Sequence, residues 1–247
     1  MRGTKSRAQL PASPASVRRA APAKSPMAKS RGGTPGSTRR PADDARNSIL
    51  SAAQRLFYEQ GIRAVSVDAV AEAAGVTKRT LYYHFKSKDD LVAAYLEARD
   101  VTTLNALRST PNQRGPHPGD RILSVFDFLE SWFSSPGFHG CPFNNAVAEQ
   151  GVTEAVAAIV RRHKATVRAW FTELAQAGGA KHADAVGAQL LVLLDGALNG
   201  AAVFANADAA IVARATAEAV LDAADVARSR PAPQKPGRRE VARSKTP

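Results

Sequence analysis

The chain has 247 residues, 44% of them hydrophobic, a formal net charge of +12 and a single cysteine. That length holds one or two ordinary domains, and one thiol excludes an intrachain disulfide and fits a cytoplasmic location. There is no apolar leader segment and no unbroken run of about 18 apolar residues, so neither secretion nor membrane spanning is expected.

Residues 1–42 carry ten Lys/Arg and no acid, interrupted by six prolines. Such a segment buries too little to fold and is expected to be a disordered basic tail. Residues 227–247, with seven basic residues and only Glu240 as an acid, are expected to be a second one. The tails carry +10 and +6, which leaves residues 43–226 at −4. The basicity therefore belongs to the ends and to one local run, not to the folded body. Flexible basic arms of this kind can add sequence-independent contacts to a polyanion and speed association. Met27 offers a second start that would omit much of the first arm.

A first helix is expected from Asp43 to Gln60, with two acids at its positive end and an apolar face of Ile49, Leu50, Ala53, Leu56 and Phe57. Gly61 stops it. Ser66 is a good N-cap for a second, short helix whose stripe is Val67, Val70, Ala71 and Ala74. Gly75 supplies a position able to take positive φ, Val76 plugs the corner, and Thr77 caps a third helix. So short a gap between caps forces a sharp crossing. In the third helix Leu81 and Phe85 face inward, which leaves Lys78, Arg79, Tyr82 and Tyr83 mostly outward. Between Gly75 and Lys88 there are four basic residues and no acid. Cations and hydroxyls there suit phosphate oxygens and base edges, and a bidentate Arg79–guanine contact is one expectation. A helix–turn–helix with a few solvated cations is the plain alternative.

The stretch LFYEQGIRAVSVDAVAEAAGVTKRTLYYHFKSKDDLV, residues 56–92, resembles the TetR-type family of bacterial transcriptional regulators. The resemblance implies that Thr77, Lys78, Arg79 and Thr80 meet the DNA groove, that Tyr82, Tyr83 and His84 hold the backbone, and that Lys88 contacts a phosphate. Ser66, opening the preceding helix, completes the candidate set. Arg79 departs from the family pattern, in which a small residue is common at that position.

Ser87 caps a fourth helix carrying Leu91, Val92, Tyr95 and Leu96, expected to run to about Arg108 as a lever from the reading head. After the loop TPNQRGPHPGD come helices at roughly Asp120–Ser134, Pro142–Gln150, Thr153–Ala177, Ala183–Asn206 and Asp208–Ala227. In the long one Arg161, Arg162 and Lys164 fall outside the apolar face and are expected to be solvated. The fold class is therefore all-α, with about nine helices. A three-helix DNA-binding domain with the helix-turn-helix spans 43–88, and a larger helical effector-binding and dimerisation domain spans 89–226.

The family resemblance implies a homodimer formed by the last two long helices, with Leu190, Leu194, Ala197, Leu198 and Ala201 as interface candidates, and a small-molecule effector between the helices of the second domain. Aromatic residues concentrate there, and Phe126, Trp132, Phe133, Phe143, Asn144, Trp170 and Phe171 are the pocket candidates, pointing to an apolar effector. The segment GFHGCPFNNAVAEQG resembles one found in a branch of these regulators, and Asn144, Asn145 and Glu149 are its polar groups. Cys141 is either a buried structural thiol or a redox-sensitive one. As a nucleophile it lacks an orienting acid and an oxyanion motif, so no catalytic residue is expected. His117, His139, His163 and His182 lack ligand spacing with it, so neither a metal nor another cofactor is expected. The chain is thus read as a dimeric, effector-responsive repressor binding a palindrome in double-stranded DNA. A constitutive DNA-coating protein driven by its tails is the alternative.

Overall fold

In the computed structural model, residues 41–109, 115–149 and 153–229 are described. They lie within one unit, Arg39–Pro247. Among them are nine α-helices and no strand: α1 Pro41–Gln60, α2 Val67–Ala73, α3 Lys78–His84, α4 Lys88–Ser109, α5 Pro118–Phe133, α6 Pro142–Ala148, α7 Glu154–Ala177, α8 Ala183–Phe204 and α9 Asp208–Ala223. The all-α reading holds. The expected basic tails lie outside the described residues, apart from Pro41 and Ala42, which open α1, and the first few residues of the second.

Local chemistry sets the boundaries of the first three helices. Gly61, at φ 88°, ends α1. Ser66 Oγ accepts the Ala69 N–H at 3.1 Å, and Thr77 Oγ1 accepts the Thr80 N–H at 3.1 Å, so both short helices are capped from within the sequence. Gly75 lies between them at φ 68°. Ser87 Oγ then accepts the Asp90 N–H at 3.0 Å and starts α4.

Buried Ile49, Leu56, Phe57, Val65, Val70, Leu81 and Phe85 close the core of α1–α3, which runs without a break into Leu91, Val92, Tyr95 and Leu96 of α4. Phe57 meets Tyr95 edge-on at 5.7 Å between ring centroids. The core is thus continuous across the expected division at residue 88. The first half of α4 belongs to the head, and its second half forms one wall of the larger bundle.

In that bundle α7 and α8 approach closely at Gly187. A Cβ there would lie 2.2 Å from Thr172 Oγ1 and about 3 Å from backbone of α7, at 2.9 Å from Thr172 N and 3.0 Å from Arg168 O. α8 is long and apolar enough by composition to cross a membrane, although no unbroken apolar run marks it. One face of it is buried against α7 and α9.

The last helix ends earlier than the sequence expectation. α9 stops at Ala223, with Asp225 at φ 56°, and residues 226–229, in no regular secondary structure, pack across the bundle as a strap. Gly119 N–H donates to Ala227 O, Ala227 N–H donates to Gly178 O, and the Asp120 carboxylate accepts from the Ser229 backbone and hydroxyl. Gly119 and Gly178 leave the room: a Cβ on either would fall within 3 Å of the strap. Ala227, Arg228 and Ser229, expected in the disordered tail, are held by these contacts.

Candidate nucleic-acid interface and an interior cavity

α3 presents its first turn and its tyrosines to solvent. Arg79 is exposed and has no ion-pair partner among the described residues. Tyr82 and Tyr83 are exposed, Tyr83 at 73%, and Tyr83 meets the His84 ring edge-on. Thr77 and Thr80 share a hydroxyl–hydroxyl hydrogen bond at 2.9 Å. Thr77 and Ser66 therefore serve first as caps, their oxygens already accepting backbone N–H groups.

Lys78 differs from Arg79. Its ammonium sits 2.9 Å from Asp68 of α2, and that hydrogen bond and charge raise its pKa. A phosphate at Lys78 has to compete with a carboxylate. Among the cations of the first turn, Arg79 is the one with its charge fully available.

Behind the head lies a cavity of about 240 Å³, walled by α4, α5, α6, α7 and α8. Of the sequence candidates, Trp132 and Phe143 line it. Phe126, Phe133, Trp170 and Phe171 are buried in the surrounding core instead, and Asn144 lies behind the wall with its amide 3.5 Å from Asp195. Helical spacing identified aromatic residues facing inward, but it carries no information on which of them border empty space. Phe128, Leu129, Val167 and Leu191 complete much of the apolar wall. A wider, open groove between α8 and α9, lined by Lys181, His182, Gln189 and Thr216, touches neither α4 nor α6.

The cavity's polar lining corrects the expectation for Lys164. Instead of facing solvent, its ammonium enters the wall, 2.5 Å from Asp195 and 3.7 Å from the Cys141 sulfur. Arg161 and Arg162 do lie at the surface, paired with Glu154 and Glu97. His163 is buried, its Nδ1 2.7 Å from Asp100 and its ring stacked on Phe143 at 3.6 Å. Burial lowers its pKa, with the Asp100 hydrogen bond working the other way.

Two contacts run from this wall to the head. The Tyr58 hydroxyl of α1 donates to Gly140 O and accepts from His139 N–H, both at 3.0 Å, and the Tyr58 and His139 rings stack. At the other end of α6, the Glu149 carboxylate accepts the N–H groups of Ile62 and Arg63 at 2.8 and 2.5 Å. Both ends of α6 are thus tied to the α1–α2 corner, while its first residues, Pro142 and Phe143, roof the cavity. Glu149 drew notice in the sequence only as a polar group near the pocket, and no pattern there pointed to partners 86 and 87 positions away.

The interface candidates Leu190, Leu194, Ala197, Leu198 and Ala201 are buried within the protomer itself, and Leu194 and Leu198 border the cavity. The outward apolar residues of the same two helices are Val192, Val203, Phe204, Ile211 and Val212. Gly196 also faces open space, with nothing within 4 Å of a Cβ placed there. α8 carries apolar residues on its outer face as well as its inner one, so its sequence gives no clean stripe to tell the two apart.

A family model described as "Bacterial regulatory proteins, tetR family" matches residues 49–95. Among solved structures, SCO4454, a TetR-family transcriptional regulator from Streptomyces coelicolor, is 32% identical with a TM-score of 0.69, over 74% of this chain and 90% of that one. Curated relatives include the HTH-type transcriptional activator FasR of Mycolicibacterium smegmatis, 35% identical over 130 residues, 51% of this chain and 58% of FasR. The HTH-type transcriptional regulator AcrR of Shigella flexneri is 43% identical over 92 residues, 37% of this chain and 41% of AcrR. The chain thus spans roughly half the length of these two curated relatives.

Proposed function

From the premise that the chain belongs to the TetR family of bacterial regulatory proteins, and so is a DNA-binding transcriptional regulator, we propose that it is a dimeric repressor released from a palindromic operator by a small, largely apolar effector. The observation that carries this reading is the pair of ties from α6, the roof of the cavity, to the corner of α1 and α2 behind the reading helix. A ligand that displaces the roof displaces the head with it.

The outward apolar face of α8 and α9 is the proposed dimer surface. It exposes Val203 at 75% and Phe204 at 73%, and a helix pair of this kind buries such residues against its symmetry mate. Two heads related by a twofold axis meet two half-sites about 34–36 Å apart, one duplex turn, which makes the operator a palindrome. In each half-site Arg79 is proposed to read a guanine, with Tyr82, Tyr83, His84 and Lys88 on the backbone. Release requires that the effector bind the DNA-incompetent arrangement more tightly, since equal affinity for both shifts nothing.

The test is genomic footprinting with the full chain, followed by selection of bound sequences with Arg79→Ala. A short protected palindrome is expected, and the substitution should relax one base position by about 1–3 kcal/mol. Uniform weakening at all positions would make Arg79 a phosphate contact. Diffuse coverage that fades steeply with salt would favour a DNA-coating protein instead.

A further inference from the structure

The charged groups that face the cavity are all basic. Arg99, His163 and Lys164 line it, and no carboxylate does. Two of the three already have an acidic partner behind the wall. Lys164 is held by Asp195, and His163 by Asp100, with burial favouring its neutral form. Arg99 has no such partner: among the described residues no carboxylate lies within ion-pair distance of it.

Arg99 occupies one face of α4 with Thr103 and Ala106, all bordering the cavity at helical spacing. Its guanidinium stacks over the Tyr58 ring, 4.8 Å from the centroid. It also sits beside Tyr95, where burial pushes the phenol up to about 12 and the Arg99 charge and hydrogen bond partly offset that. Its Nε is buried without any hydrogen-bond acceptor. A buried N–H left unpaired is costly, and a guanidinium donates best to a planar anion.

We propose that the effector is an anion of the arylalkyl carboxylate class, its carboxylate on Arg99 and its apolar group against Phe128, Leu129, Trp132 and Val167. This rests on the reading of the cavity as the effector site. The volume of about 240 Å³ equals roughly eight waters at liquid density, room for a ring and a short chain. The same contact supplies regulation. The guanidinium whose N–H edge would receive the carboxylate now lies with its face on Tyr58, whose hydroxyl bridges α1 to the segment before α6. An anion that draws Arg99 inward withdraws it from that bridge.

The test pairs 3-phenylpropanoate and 4-phenylbutanoate with their primary amides, molecules of like shape that differ in charge. Each is titrated into the full chain, with tryptophan fluorescence reporting binding and anisotropy of the footprinted DNA reporting release. The acids should bind at least tenfold more tightly than their amides. Arg99→Gln should remove that preference, and Arg99→Lys should retain part of it. Equal affinity for acid and amide, a preference that survives Arg99→Gln, or no binding by either acid overturns the proposal. If the Gln substitution lowers the unfolding midpoint sharply, the acid-to-amide ratio in the unmodified chain and in Arg99→Lys decides. Amides that bind and release DNA would overturn the anion while leaving the effector site intact. Acids that bind through Arg99 without releasing DNA would support the anion and overturn release.

Discussion

Glu149→Ala removes a single acceptor that serves two donors on another element. The Ile62 N–H bond, at 2.8 Å, is partly buried, and the Arg63 bond, at 2.5 Å, is exposed. A hydrogen bond to a charged group contributes about 1.5–3 kcal/mol when shielded, whereas an exposed charged contact adds about 0–1 kcal/mol. The clasp as a whole is therefore worth about 2 kcal/mol. Hydrogen exchange measures it directly, because each 1.4 kcal/mol is a factor of ten. Amide exchange at Ile62 and Arg63 should accelerate roughly 30-fold in Glu149→Ala, while amides in the core of α7 stay protected. Glu149→Gln, which keeps a neutral acceptor, should fall between. Operator affinity should change in parallel, because the clasp fixes the α1–α2 corner that carries α3. Exchange at both amides within twofold of the unmodified chain would refute the reasoning, since it would mean that the carboxylate adds nothing that water does not supply.

Asp68→Asn frees the Lys78 ammonium, so DNA binding should tighten and its logarithmic salt slope should steepen by about one, the effect of one added phosphate contact. An unchanged slope would mean that Lys78 points away from the backbone. Gly187→Ala forces a methyl into backbone of α7 at about 3 Å and should cost about 1–3 kcal/mol, lowering the thermal midpoint by several degrees. A midpoint within one degree would mean that α7 and α8 separate freely. His163 is held neutral by burial, with its pKa below the ordinary 6.5, so the unfolded chain binds its proton first as pH falls. Its contribution to stability is complete above about pH 6.5 and declines below it. Thermal midpoints at pH 8 and pH 5.5 should therefore differ more in the unmodified chain than in His163→Gln, and equal differences would remove His163 from the pH response.

The sequence disclosed most where structure is set locally. Ser66, Gly75, Thr77 and Ser87 each act within four residues of their own position, and each cap or turn lies where its chemistry calls for it. The apolar pairs Leu81 and Phe85 likewise face inward. Sequence signals gave out where the partner is remote. Lys164 sits just off the apolar arc of α7, and only Asp195, 31 positions away, gives it a reason to enter the wall. The strap at 226–229 has no periodicity at all, since two glycines elsewhere make room for it. α8 presented too much apolar surface for its two faces to be told apart. A cavity is in any case the absence of side chains, which no periodicity records.

The length of α6 explains why it suits the proposed coupling. Seven residues are far below what an isolated helix needs to be stable in water, so its order depends on what it touches. Phe143 on His163 ties it to the cavity wall, and Glu149 and the Tyr58 bridge tie it to the head. A longer helix would hold its shape whichever neighbour let go, and the two sites would then ignore each other. A hundredfold change in operator affinity requires about 2.7 kcal/mol of differential binding. The clasp, at about 2 kcal/mol, and the two hydrogen bonds through Tyr58, at about 1 kcal/mol each, together come to about 4 kcal/mol and so exceed that requirement. Breaking them needs no disruption of the core of α1–α3, in which Ile49, Val70 and Leu81 remain fully buried. The head can therefore be let go as a folded unit, and folding stability and effector response should be separable by mutation: Gly187→Ala should move the first, and Glu149→Ala chiefly the second.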